Sequence, residues 1–90
     1  MPYQVVLTRS AQRELDRLPA KEATRVVQAL YELEEEPLRR GAKKLAADNV
    51  ATWRMRVGSH RVIYSISNEE QLVIVHRIAR RGQQTYEVLP

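Results

Sequence analysis

The sequence contains no cysteine, so no disulfide staples the fold, and neither thiol nor zinc–thiolate chemistry is available to it. It has only two histidines, His60 and His76, far apart in sequence, which leaves little for a metal site. Its three glycines never cluster, so there is no Gly-rich phosphate loop, and no Ser/His/Asp constellation stands out. Carboxylates suited to paired acid/base work are also missing: Glu69 and Glu70 fall in a turn, and Glu34 to Glu36 at a helix end. No apolar run approaches transmembrane length and no apolar targeting segment follows the N-terminus, so a soluble, cytoplasmic protein is the expectation. There is no internal repeat and no low-complexity stretch.

What is present is one small domain, residues 1–90, large enough for a single modest core. The net charge of +4 is unevenly spread. Residues 1–50 carry nine Lys/Arg against eight Asp/Glu, whereas residues 51–90 carry six arginines, no lysine and three glutamates. Arginine presents a planar fork of donors suited to phosphate. A basic surface of this kind suits nucleic acid or an acidic protein partner, or serves only solubility.

The segment YQVVLT (3–8) alternates Tyr3, Val5 and Leu7 on one face and reads as a strand. Ser10 is placed to cap a short helix whose Ala11, Leu15 and Leu18 share a face and which Pro19 stops. Ala23, Val26, Val27, Leu30 and Leu33 define a second amphipathic helix over about residues 20–36, ended by Pro37. The run Glu34–Glu36 at its C-terminus is unfavourable to the helix dipole and could instead pair with Arg39, Arg40 or a basic partner. Residues 37–52 read as a basic loop, and strands follow over about 51–57, 60–67 and 71–79, with a tail that is either a short strand or a frayed end. The order predicts an α+β fold: a helical hairpin on one face of a mainly antiparallel four-stranded sheet.

Gly58-Ser59 is a permitted two-residue hairpin loop, and such a loop fixes register. Val57 then opposes His60, Arg56 opposes Arg61, Met55 opposes Val62, and Arg54 opposes Ile63. Side chains alternate, so Arg54, Arg56 and Arg61 share one face, and Trp53, Met55, Val57, Val62, Tyr64 and Ile66 the other. A three-residue loop, 68–70, places Leu72, Ile74 and Ile78 on the apolar face, Arg77 opposite Arg61, and Arg81 on the arginine side. Val73, Val75 and Ile63 then join the arginine face. An Arg-x-Arg in a strand ordinarily means only that this face meets water. Two arginines directly opposed across strands are destabilising, by up to about 1 kcal/mol. Four or five converging arginines fit a phosphate site better than a purely solvated face.

Single residues carry two readings each. Tyr86 either stacks on a base or hydrogen-bonds a phosphate or 2′-hydroxyl, or it anchors the C-terminus on the sheet. His60 is an exposed turn residue or a proton carrier, with the former the simpler reading. His76, on the apolar face in this register, reads as a satisfied core histidine, and Trp53 as core. Lys43 and Lys44 sit on a solvated loop or contact backbone phosphates.

The stretch WRMRVGSHRVIYSI (53–66), followed by LVIVHRIARR and a late tyrosine, resembles the RelE/ParE superfamily, the toxin halves of bacterial and archaeal type II toxin–antitoxin pairs. The resemblance spans nearly the whole chain. It implies a compact α+β domain that cuts messenger RNA in the ribosomal A site, inhibits translation, and is blocked by a RelB-like antitoxin carrying acidic and apolar residues. The implied catalytic positions are Arg54, Arg56, Arg61, Arg81 and Tyr86, with Lys43, Lys44, Arg77, Arg80 and His60 contacting RNA. The implied reaction is attack of a 2′-hydroxyl on the adjacent phosphate with neither metal nor cofactor, leaving a 2′,3′-cyclic phosphate and a free 5′-hydroxyl. Two departures stand out. The family often has lysine on the first hairpin strand, where this chain has Arg54 and Arg56, and its usual glycine and histidine are here Ala79 and Arg80. Arginine, protonated across the physiological range, is a poor general base, although it can stabilise a pentavalent transition state. A ParE-like gyrase inhibitor without nuclease activity, or a catalytically weak binding relative, would carry the same arginines.

Overall fold

The computed structural model describes residues 3–38, 43–44 and 52–80. Its elements are β1 (Gln4–Leu7), α1 (Arg9–Asp16), α2 (Ala20–Glu35), β2 (Lys43–Lys44), β3 (Thr52–Val57), β4 (His60–Ser67) and β5 (Leu72–Arg80). The strands lie in the order β1-β5-β4-β3-β2. β1 runs parallel to β5 and the other neighbours are antiparallel. The α+β arrangement expected from the sequence is present, with the two helices packed on one face of a mixed sheet of four main strands. The two-residue β2, expected to be loop, pairs with the free edge of β3 and places Lys43 opposite Arg54 and Lys44 opposite Trp53.

The start of α1 differs from the expected cap. Thr8, not Ser10, occupies the N-cap in an extended conformation, and its hydroxyl oxygen accepts from Ala11 N–H at 3.2 Å. Thr8 is fixed there by β5: its own N–H donates to Val75 O at 3.0 Å and its hydroxyl donates to His76 O at 3.2 Å. In α2 the buried stripe is Val26, Ala29, Leu30 and Leu33, the i, i+3, i+4, i+7 pattern of a helix face, so Val27 lies just outside it, 36% exposed. α2 ends before Pro37, whose carbonyl accepts a 2.7 Å bond from the Tyr64 hydroxyl and so ties the helix exit to the sheet.

Against this stripe and Ala11 the sheet packs Met55, Val62, Tyr64, Val73, Val75 and Ile78. Val26, Leu33, Val62, Tyr64, Val73 and Val75 are fully inaccessible. Each such side chain contributes about 1.5–3 kcal/mol by leaving water.

β5 departs from the expected register in two places. The β4–β5 loop has four residues, Asn68 to Gln71, because Ser67 pairs with Leu72 and Gln71 adopts a positive φ of 56°. This puts Val73 and Val75 into the core and turns Leu72 and Ile74 to the opposite face. A β-bulge at His76 then reverses the parity: Tyr64 opposes Val75 but Ile63 opposes Arg77. Ile78 therefore rejoins the core, Arg61 faces Ala79, and Arg77 faces Ile63 and not Arg61. The three-residue loop, with Val73 and Val75 on the arginine side, is thus corrected.

Candidate nucleic-acid interface

The β3–β4 hairpin has the predicted register, with Gly58 at φ 61° in the turn and Arg56 opposite Arg61. Because Val57 and His60 close a two-residue loop, Arg56 and Arg61 form the next, more closely approached cross-strand pair. Arg54 lies two positions along β3, and its partner on the outer side is Lys43. Lys43, Arg54, Arg56 and Arg61 therefore share the face turned away from the helices. Ile63 and Ala79, both buried but outside the helix-side cluster, form the floor between them and β5. Among the described residues, no strand position on this face is acidic. Arg56 is exposed, whereas Arg54 and Arg61 are half-buried, their stems resting on the sheet. The face continues toward β1 as a half-buried apolar surface of Val6, Leu72 and Ile74.

Arg77 lies at the border of this face but is held by α1. Glu14 Oε2 accepts from Arg77 Nε at 3.0 Å and from its terminal nitrogen at 2.8 Å, while Glu14 Oε1 accepts from Ile78 N–H at 2.7 Å. One carboxylate thus takes over the edge of β5 where β1 has ended. Glu14 gave no signal in the sequence, since only the fold brings it to β5.

His60 and Arg80 are on the other side of the sheet. His60 is 4% exposed, not an open turn residue, because its Nδ1 lies 3.3 Å from Glu22 Oε1 on α2. Register sets Arg80 opposite His60, and the two line a cleft of about 570 Å³ with Glu22, Arg25, Gly58 and Ser59. Glu22 and Arg25 were not singled out by the sequence: three apart on a helix, they read as a solvated face. His76, expected in the core, sits on the bulge with its Nε2 2.8 Å from Ser65 Oγ, and burial lowers its pKa from 6.5. Arg81 and Tyr86 lie outside the described residues, and for Lys44 only the backbone register is described.

A row of cations on an open sheet face, two of them directly opposed, can bind a polyanion and stabilise charge developing on a phosphate. Known proteins share this fold. The family model for the ParE toxin of type II toxin–antitoxin system, parDE, matches residues 5–85. The chain is 38% identical over 83 residues to the toxin RelG of Mycobacterium tuberculosis, covering 91% of this chain and 94% of that one. In the toxin–antitoxin complex RelBE2 from the same organism, a solved chain superposes with a TM-score of 0.80 at 34% identity, covering 90% of this chain and 100% of its own. In the archaeal RelE–RelB complex of Pyrococcus horikoshii the TM-score is 0.81 at 28% identity, with 92% and 99% covered.

Proposed function

Because the chain belongs to the RelE/ParE superfamily of type II toxin–antitoxin toxins, we propose that it is a ribosome-dependent mRNA endoribonuclease, cutting in the A site without metal and so arresting translation in the cytoplasm. The observation that carries this reading is the cross-strand Arg56–Arg61 pair, flanked by Lys43 and Arg54 on a face whose described strand positions include no acid. Two arginines directly opposed across neighbouring strands carry a like-charge cost. Straddling a phosphate, they offset the charge that builds on its oxygens as a 2′-hydroxyl attacks and the bond to the 5′-oxygen breaks. The products are a 2′,3′-cyclic phosphate and a 5′-hydroxyl. Arg54 and Lys43 hold neighbouring phosphates. Proton transfer falls to Tyr86, since arginine side chains in general do not exchange protons near neutral pH, and Arg81 neutralises charge on the leaving oxygen. A RelB-like antitoxin covers the same face, its carboxylates on the arginines and its apolar side chains on Val6, Leu72 and Ile74.

The test is induction of the toxin without antitoxin, followed by mapping of RNA 5′ ends. New ends inside coding sequences, absent in a folded Arg61→Ala/Arg81→Ala variant, are expected. Full toxicity in that variant would sink the proposal. The match to a ParE family model favours one second reading, a gyrase inhibitor that leaves RNA intact. The same induction then yields uncut messages with DNA damage.

A further inference from the structure

We propose that the outer face of α2 is an interface with a second copy of this chain, the two helices lying antiparallel across a two-fold axis at Gln28; the inference is independent of the target on which the toxin acts.

α2 buries one stripe of side chains and leaves the opposite one in water. Lys21, Thr24, Gln28, Tyr31 and Glu35 are all exposed, and their alternating spacing of three and four sets them in one line along the helix. Val27 flanks that line. Among the described residues the exposed large apolar side chains are Val27, Tyr31 and Leu38, all on α2 or just past its end, and Tyr31 is 65% exposed. Apolar exposure gathered on one element marks a contact surface, whereas single scattered residues do not.

The charges say what covers this face. α2 carries Lys21 in its first turn and ends on Glu34 and Glu35, with no basic residue in its last turn. Lys21 and the two glutamates all oppose the helix dipole. A neighbour that corrects both ends brings an acid to the N-terminal end and a base to the C-terminal end. An antiparallel copy of α2 does this. Lys21 and Glu35 are each seven positions from Gln28, about 10 Å along the axis. A two-fold axis at Gln28 sets Lys21 of each copy against Glu35 of the other, Thr24 against Tyr31, and the two Gln28 amides, each both donor and acceptor, against one another. Tyr31 then also leans over Val27 of the second copy. A parallel copy would set Lys21 on Lys21 and Glu35 on Glu35, and a partner of a single charge sign would correct one end only. The arginine face lies across the sheet from α2, so the pair presents two such faces outward. One helix pair buries less than the roughly 1,200–2,000 Å² of a stable interface, so the association is weak and concentration-dependent.

The test is sedimentation equilibrium of the full chain from about 10 to about 500 µM, over which the wild type is expected to pass from one chain toward two. Lys21→Glu and Glu35→Lys, both at exposed positions, should each weaken association about tenfold, because two attractive pairs become repulsive. The double variant Lys21→Glu/Glu35→Lys should restore it, which neither a solvated face nor a different partner would do. Because the chain has no cysteine, Gln28→Cys adds a single thiol. At the two-fold axis it should form a disulfide-linked pair under copper phenanthroline, and less of it in the Lys21→Glu background. A wild-type chain that stays monomeric throughout overturns the proposal, as does association that both charge reversals leave untouched. Loss of antitoxin affinity in Lys21→Glu without self-association of the wild type assigns the face to the antitoxin and overturns it equally.

Discussion

Removing Glu14 should damage this protein far more than its place on a short, mostly exposed helix suggests. The carboxylate accepts from Arg77 at 3.0 and 2.8 Å and from the Ile78 N–H at 2.7 Å, and Ile78 is 3% exposed. Both members of the ion pair keep about a fifth of their surface in water, 22% for Glu14 and 23% for Arg77. The pair itself is therefore discounted to about 1 kcal/mol. The backbone bond matters more: a buried N–H deprived of its acceptor costs about 1–3 kcal/mol. Glu14→Ala is thus expected to cost about 2–4 kcal/mol, a large share of the roughly 5–13 kcal/mol available to a domain of this size. With a urea m-value of about 1.5 kcal/mol/M, the unfolding midpoint drops by about 1.3–2.7 M. Glu14→Gln keeps an acceptor for Ile78 and should lose about half as much, and Arg77→Ala only about 1 kcal/mol. Equilibrium urea unfolding of the purified variants checks this order. A Glu14→Ala midpoint within about 0.3 M of wild type, or Arg77→Ala as damaging as Glu14→Ala, would refute the reasoning.

Three further outcomes follow from the fold. Gln71→Gly should stabilise by about 0.5–1 kcal/mol, raising Tm by a few degrees, because φ 56° is strained for glutamine and free for glycine; a lowered Tm contradicts this. Val73→Ala and Val75→Ala should each cost about 2 kcal/mol and Ile74→Ala clearly less, the reverse of what a three-residue loop would give, as read by thermal unfolding. His76 has a pKa lowered by burial, so the unfolded chain binds more protons than the native one as pH falls below the ordinary value of 6.5. Its contribution is complete above that pH and is lost as pH falls through the folded pKa, and a stability difference between pH 7.5 and 5.5 should shrink in His76→Gln.

The parts of the fold legible in the sequence are those set by local chemistry. A two-residue Gly-Ser loop determines β3–β4 pairing without outside help, so the faces of Arg54, Arg56 and Arg61 follow from alternation alone. β5 was not legible in the same way. Its bulge is sustained by bonds from residues more than 60 positions away, Thr8 on the His76 carbonyl and Glu14 on Arg77 and Ile78, and no local pattern announces them. β2 is similar: two lysines pair only because β3 offers an edge. The burial of His60 depends on Glu22 arriving from α2, whereas the side of the sheet that His60 and Arg80 occupy follows from strand alternation. Local rules thus revealed the centre of the candidate site, and its margins required the tertiary structure.

The parallel pairing of β1 with β5 also has a consequence for synthesis. β1 is made first, yet its partner comes last among the described strands: Thr8 and His76 are 68 positions apart. At about 5–20 residues per second the first strand waits roughly 3–14 s for its mate. Until then the hairpin can form but lacks both β5 and the Thr8 and Glu14 anchors that set it. A nascent chain is therefore structurally immature until β5 has been translated, and the arginine surface gains its β5 neighbour only then.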